Sequence, residues 1–370
     1  MAEALARAKE SQTARPTYRV DRSFEWNYAN GPDFAGPWPD VPDTPLKMFL
    51  GLPVRSRFGV PASILLNSRW IETYARLGFD LLTYKTVRGA ARLCQPPPNW
   101  LFLDPRSVAA HLADPEAAVA LAAEMPAHPH TATAGGSFGI PSVAPETWQP
   151  DIVAARRALG AGQVLIVSVV GTARPGLSDE AFVEDFASLA ASAAANGADA
   201  VEADLSCPNV ARREGEVYLD VPLSARIARA VKSAVGDRPV LLKIGDIADR
   251  AVLGEFLEQV AGAADAVVMI NAPSRRIVNA SGAPAFGAGR ERAGVTGGAV
   301  KTIALRAVGD AASHVARRRL PLKIVGVGGI ASAADAREFL DAGAYAVQSA
   351  TAANWNPRLA AELKAAAPDI

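Results

Sequence analysis

The chain has 370 residues, half of them hydrophobic, and its 38 Lys plus Arg equal its 38 Asp plus Glu. That balance excludes a disordered chain and leaves no basic field to gather nucleic acid. Two cysteines are too few for a disulfide framework or an unaided iron–sulfur cluster, and the four histidines lack metal-site spacing.

Residues 1–60 are rich in Pro, Trp and Asp without a sustained period, and read as an extended arm packing on the body. The first residues lack the apolar core of a signal peptide, and no apolar run approaches the ~20 residues of a membrane span, so the cytoplasm is the expected location. From residue 61 apolar runs alternate with Ala-rich segments. Strands are expected at 63–66, 81–86, 164–170, 200–206, 240–245, 267–271, 324–329 and 346–350. Most are continuously apolar, the pattern of parallel strands buried on both faces.

The segments between them carry helix signals. Ser178 caps a run with Phe182, Phe186 and Leu189 on one face, and Gly197 ends it. Ser332 and Asp335 form a capping box, with Gly343 past the end. The joints "GADAV" at 197, "GAADAV" at 262 and "GAYAV" at 343 repeat one helix-to-strand hand-over. Eight such strands predict an α/β fold, a (β/α)8 TIM barrel over 61–370. The stretch of about 87–163 is an insertion after the second strand, in which 114–125 ("DPEAAVALAAEM") reads as a helix.

Active-site groups of such barrels sit at strand C-termini. There the sequence supplies Lys85, Ser168, Asp204, Cys207, Asn209, Lys243, Asn271, Gly328, Gly329 and Thr351. Lys85 and Lys243 lie in apolar strands, where a buried ammonium needs an anionic partner, either an internal carboxylate or a bound ligand. Gly328 and Gly329 before Ser332, and the "AGVTGG" run at 293–298, can present backbone N–H groups to a phosphate. Cys207 follows a strand end and precedes Pro208; with no histidine adjacent in sequence, acid/base work fits it better than covalent catalysis.

The ordered motifs "VEADLSCPNV", "VLLKIG", "VVMIN", "AGVTGGAVKTIAL", "IVGVGGI" and "AVQSATA" resemble those of the cysteine-type, soluble dihydroorotate dehydrogenases, over about residues 58–365. The resemblance implies bound FMN and a CH–CH bond of a small ring substrate exchanging hydride with it, in pyrimidine metabolism. It implies Cys207 as catalytic acid/base, Lys243 and Lys85 beside the flavin, and Gly294, Thr296, Gly328, Gly329, Ala350 and Thr351 around its ribityl phosphate; Ser168 belongs to the same cofactor set. Asn209 and Asn271 match substrate-binding asparagines, and "GGSFGIPS", with Ser137, matches the substrate loop. It further implies a homodimer; the electron acceptor is not readable, and no metal is expected. The chain departs from the family by Asp204 and Gly136 in place of asparagines, by Ser142, and by Leu65, Leu66 and Asn67 where small residues lie under the flavin. Those departures leave open dihydroorotate, another dihydropyrimidine or an unsaturated acid. A degenerate flavin-binding subunit of a complex and a tRNA dihydrouridine synthase-like enzyme are the alternatives.

Overall fold

The computed structural model describes residues 15–206 and 215–370. Eight parallel strands close into a barrel in chain order: β1 (Phe58–Val60), β2 (Leu81–Val87), β3 (Val164–Val169), β4 (Ala200–Asp204), β5 (Val240–Ile244), β6 (Ala266–Met269), β7 (Lys323–Val327) and β8 (Ala346–Gln348). Helices α1 (Ser68–Arg76), α2 (Pro145–Arg157), α3 (Asp179–Ala195), α4 (Val221–Val235), α5 (Arg250–Val260), α6 (Lys301–Arg318), α7 (Ala333–Asp341) and α8 (Leu359–Ala366) follow them in turn. The expected (β/α)8 barrel is therefore the observed fold.

The helices form where their caps predict. Ser178 Oγ accepts from the Ala181 N–H at the start of α3, whose buried face carries Phe182, Phe186 and Leu189. Ser332 Oγ accepts from the Asp335 N–H, and the Asp335 carboxylate takes the Ala331 N–H in return.

Two expectations are corrected. The first strand is Phe58–Val60, not 63–66. Glycine is required in it, because a Cβ on Gly59 would stand 2.0 Å from the Leu81 carbonyl oxygen. Within 114–125 the chain forms a strand, Ala118–Ala120, not a helix; it pairs with Ser274–Val278. The helices of that insertion are instead Pro105–His111, capped by Asp104, and α2.

Inward positions alternate along each strand, and their chemistry changes with height. Leu81, Val164, Ile166, Ala200, Leu241, Ala266, Val268, Val325 and Ala346 form an apolar plug at the strand N-termini. The antiparallel pair Lys47–Phe49 and Leu52–Val54 closes that end, with Phe49 and Val54 buried against the plug. Continuing at period two, the inward face turns polar: Thr83 and Lys85 on β2, Ser168 on β3, Glu202 and Asp204 on β4, Lys243 on β5, and Gln348 on β8. Chemistry is thus confined to the C-terminal mouth.

A second sheet of five strands, ordered Trp100–Phe102, Thr133–Gly136, Arg292–Gly297, Ser274–Val278 and Ala118–Ala120, is built from segments following β2 and β6. Three of its neighbouring pairs are antiparallel and the last is parallel. The described part of the arm is anchored across the barrel. The Thr17 N–H donates to the Asn354 carbonyl at 2.9 Å, and Thr17 Oγ1 lies 2.6 Å from the Tyr74 hydroxyl. A buried ion pair, Lys364 Nζ to Asp80 Oδ2 at 2.7 Å, ties α8 to the loop before β2.

Candidate active site

Two adjoining cavities open at the mouth. One is lined by Lys85, Thr86, Asp204, Asn271, Gly294, Thr296, Ala350 and Thr351. The other shares Asn271, Thr296, Ala350 and Thr351 and extends past Lys243 to Gly328 and Gly329. The structure therefore gathers eight of the nine residues expected around a cofactor on one connected surface; the ninth, Ser168, is buried just beneath.

Beneath the cavities lies a cluster of buried charge. Lys243 is the register partner of Asp204, and Ser168 is the register partner of Glu202. Glu202 is fully buried, and among the described residues neither carboxylate oxygen has a partner in good hydrogen-bond geometry, Ser168 being the nearest donor that acts on it. Burial pushes its carboxyl up to about 6; Asp204 adds to that push, while Lys243, Ser168 and Lys85 oppose it. Asp204 is likewise raised by burial against the pull of Lys243. Its Oδ1 accepts from the Ser206 N–H at 3.2 Å, and its Oδ2 lies 3.4 Å from Thr86 Oγ1. Thr86 can reach inward beside Lys85 because the β2–β3 register shifts between Tyr84 and Val87, a bulge that re-aims the strand end.

Sequence reasoning missed Glu202, although an acid two residues before Asp204 in an apolar strand shares its face at period two. It also missed Thr86, Tyr18 and Trp100, which line the same cavity. Nothing local marks these last two, since the arm and the second sheet bring them in from outside the barrel.

Asn271 holds the next segment in place. Its Nδ2 donates to the Ser206 carbonyl oxygen, and to Ser206 Oγ at 3.1 Å. Its Oδ1 accepts from the Ala272 N–H at 2.8 Å. Cys207 and Asn209, which follow Ser206, lie outside the described residues. Ser137 has its backbone bonded to Asn99 through both N–H and C=O, and lines a wider cleft beside Ser206 and Tyr218 rather than the Lys85 cavity.

The donor set fits a flavin mononucleotide. Gly328 and Gly329 have φ of 135° and 72°, and a Cβ on Gly329 would stand 2.7 Å from Lys301 Cβ. Only glycine lets this turn approach the start of α6 so closely, which makes a cradle of the kind that receives phosphate. Lys301 Nζ meets Asp335 and Glu338, holding the starts of α6 and α7 together. Among the described residues no group of three or more His, Cys, Asp or Glu is placed to hold a metal ion, and no helix is long and apolar enough to cross a membrane.

The dihydroorotate dehydrogenase family model matches residues 151–366. The dihydroorotate dehydrogenase of Dictyostelium discoideum is 34% identical over 358 residues, covering 94% of this chain and 96% of that protein. The catalytic subunit of dihydroorotate dehydrogenase B (NAD(+)) from Solidesulfovibrio magneticus is 34% identical over 199 residues, spanning 50% of this chain and 59% of that subunit. The DHODH of Eimeria tenella, solved in complex with ferulenol, superposes with a TM-score of 0.70 at 17% identity over 92% of this chain and 89% of that one, a likeness of fold. With a relative aligned along nearly its whole length and the family's pattern running from α2 to the end of α8, this chain belongs to the dihydroorotate dehydrogenase family.

Proposed function

We propose that this chain is an FMN-dependent oxidoreductase that interconverts a CH–CH bond and a C=C bond in a small ring substrate, dihydroorotate or a related dihydropyrimidine or unsaturated acid. Membership of a family of oxidoreductases acting on CH–CH donors supports the reaction class. The single observation that carries the site is the convergence of Lys85, Lys243, Asn271, the Gly328–Gly329 turn and Thr351 on one mouth.

Gly328, Gly329, Ala350 and Thr351, with Gly294 and Thr296 across the cavity, would hold the phosphate and ribityl chain. Lys243 and Lys85 would lie against the ring, where a cation favours negative charge on it. When bound, FMN supplies the two-electron acceptor for hydride. The protein supplies the proton transfer. Cys207, immediately after the Ser206 carbonyl that Asn271 holds, takes a proton from the substrate carbon adjacent to the one that loses hydride. The substrate would give up H⁺ to the Cys207 thiolate from one carbon and hydride from its neighbour, the acceptor chemistry that bound FMN would supply, leaving the double bond. Asn209 and Asn271 flank the substrate in this reading, with Asp204 facing it. The homodimeric state and the cytoplasmic location implied by the sequence belong to the same proposal.

The test is spectroscopic. Purified protein given FMN should acquire a bound flavin spectrum, and anaerobic dihydroorotate or another dihydropyrimidine from a panel should bleach it. Cys207→Ala should keep the flavin and lose the bleaching. Protein that takes up no FMN, or a Cys207→Ala variant reduced as fast as the parent, would overturn the reading.

A further inference from the structure

The cavity that reaches Gly328 and Gly329 takes in one residue of the insertion after β2, His130. It is half-buried and ends the "HPH" segment just before the second-sheet strand Thr133–Gly136. Two successive glycines let this segment lie against the single 3-10 turn, Gly298–Val300, that leads into α6. A Cβ on Gly297 would stand 2.0 Å from the Ala132 carbonyl oxygen, and one on Gly298 would stand 2.3 Å from that of Thr131. The Gly298 N–H donates to the Ala132 carbonyl at 3.2 Å, and the Ala299 N–H donates to Thr133 Oγ1 at 2.9 Å.

Those two bonds change what the start of α6 can offer. Backbone N–H groups at a helix start are ordinary phosphate donors. Here the insertion already occupies two of them, so a phosphate in this cavity draws on other donors. The Gly328–Gly329 turn offers backbone, but side-chain cations are scarce. Lys301, at the head of α6, is committed to Asp335 and Glu338. Lys243 lines the cavity beside its register partner Asp204. His130 is uncommitted: among the described residues its ring nitrogens have no hydrogen-bond partner, and the ring meets only the edge of His128, with centroids 6.1 Å apart. Among the described residues no Asp or Glu lines this cavity, which suits a phosphate dianion.

We propose that His130 is a cofactor-binding residue whose imidazole donates to the phosphate of FMN, so that the insertion makes the site selective for the phosphorylated flavin. This rests on the flavin reading above and adds to that site a residue from outside the barrel strands and the glycine turns.

The probes are FMN and riboflavin, which share the ring and ribityl chain and differ in the phosphate. Each is titrated into flavin-free full-length protein, and binding is read from the change in flavin fluorescence. The parent should bind FMN more tightly than riboflavin. His130→Ala should cut that affinity ratio about tenfold or more, through FMN alone, as expected for a lost hydrogen bond to a charged group. His130→Gln, which keeps an N–H donor without the charge, should retain part of the ratio. His128→Ala, at the exposed neighbour, should leave it unchanged. Protein that binds neither flavin overturns the flavin reading, and the role of His130 falls with it. Protein that binds flavin with a ratio unmoved by His130→Ala overturns the phosphate contact alone. So does a His130→Ala variant that loses riboflavin as much as FMN, which would mean that the insertion had shifted.

Discussion

Asp204 and Lys243 are register partners on adjacent barrel strands, so carboxylate and ammonium leave the same height of the barrel side by side. Glu202 lies one inward position lower, and Lys85 rises from β2 to the same cavity as Asp204. Two acids and two lysines thus share the barrel interior directly under the cavities. The arrangement bears on the question posed by two lysines in apolar strands: Glu202 and Asp204 share the barrel interior with both, and both lysines pull on the two carboxyls electrostatically. It also sets the charge a bound ligand encounters, because the cations are partly neutralised before anything binds.

Glu202 makes stability depend on pH. Its folded value of about 6 exceeds the ordinary 4.5, so the fold favours the protonated form. Its contribution is therefore complete below pH 4.5 and lost as pH rises through 6. Relative to Glu202→Gln, the parent should lose about 2 kcal/mol over the whole range, about 1 kcal/mol of it between pH 5 and pH 8. Removing the acid also changes the environment of Lys243, which shifts the offset between the proteins but not this slope. Urea unfolding of flavin-free parent and variant at pH 5 and pH 8 measures it; parallel pH profiles would show that Glu202 titrates normally.

The Lys364–Asp80 pair joins the last helix to the loop before β2, with both side chains nearly inaccessible. Ser56 Oγ donates to the same Asp80 oxygen at 2.6 Å. Lys364→Met would strand a buried carboxylate and should cost about 3–5 kcal/mol at pH 8. Burial already raises Asp80, so protonation relieves part of this loss at low pH. Thermal melts should show a smaller deficit at pH 5 than at pH 8; an equal deficit would mean that packing, not charge, sets the cost.

The sequence made the barrel legible where strands are long and continuously apolar, as in β3 and β5. It failed at β1, whose three residues include the glycine that Leu81 demands, so the neighbouring "SILL" run looked more strand-like. It failed again at Ala118–Ala120, where alanine's helix propensity is overridden by pairing with Ser274–Val278, a partner far along the chain. The site divides in the same way. Residues at strand ends could be counted off from their strands, whereas Tyr18 and Trp100 reach the cavity only through the arm and the second sheet. No local pattern encodes those contacts.

The glycine turn after β7 can be tested apart from the chemistry. Gly329→Ala places a Cβ at positive φ and within 3.0 Å of Lys301 backbone atoms, so the turn must move away from α6. FMN affinity should fall at least about tenfold, with a stability cost of about 1–2 kcal/mol. Gly262→Ala is the control: its φ is 85° but nothing lies within 4 Å, so the backbone cost remains without the displacement. Fluorescence titration of FMN into both variants separates the effects. Equal FMN affinities would remove the turn from the cofactor site.

The two departures nearest the substrate can be reversed together. A Cβ on Gly136 would touch nothing closer than a Phe138 ring carbon at 3.6 Å, so a side chain can be accommodated there. Asp204→Asn keeps an oxygen for the Ser206 N–H while removing one negative charge from the cluster. Gly136→Asn supplies an amide where the wall is now open. Both changes favour a small anionic ring: one tips the balance towards Lys85 and Lys243, and the other adds a donor and an acceptor for ring carbonyl and N–H groups. The double variant should raise kcat/KM for dihydroorotate about 10- to 100-fold, since matching a polar substrate group is worth that much in discrimination. Asp204→Asn alone should give part of the gain, seen mainly as a lower KM. Anaerobic flavin reduction over a range of dihydroorotate concentrations provides both constants. A double variant no better than the parent would mean that Asp204 and Gly136 do not set the choice of substrate.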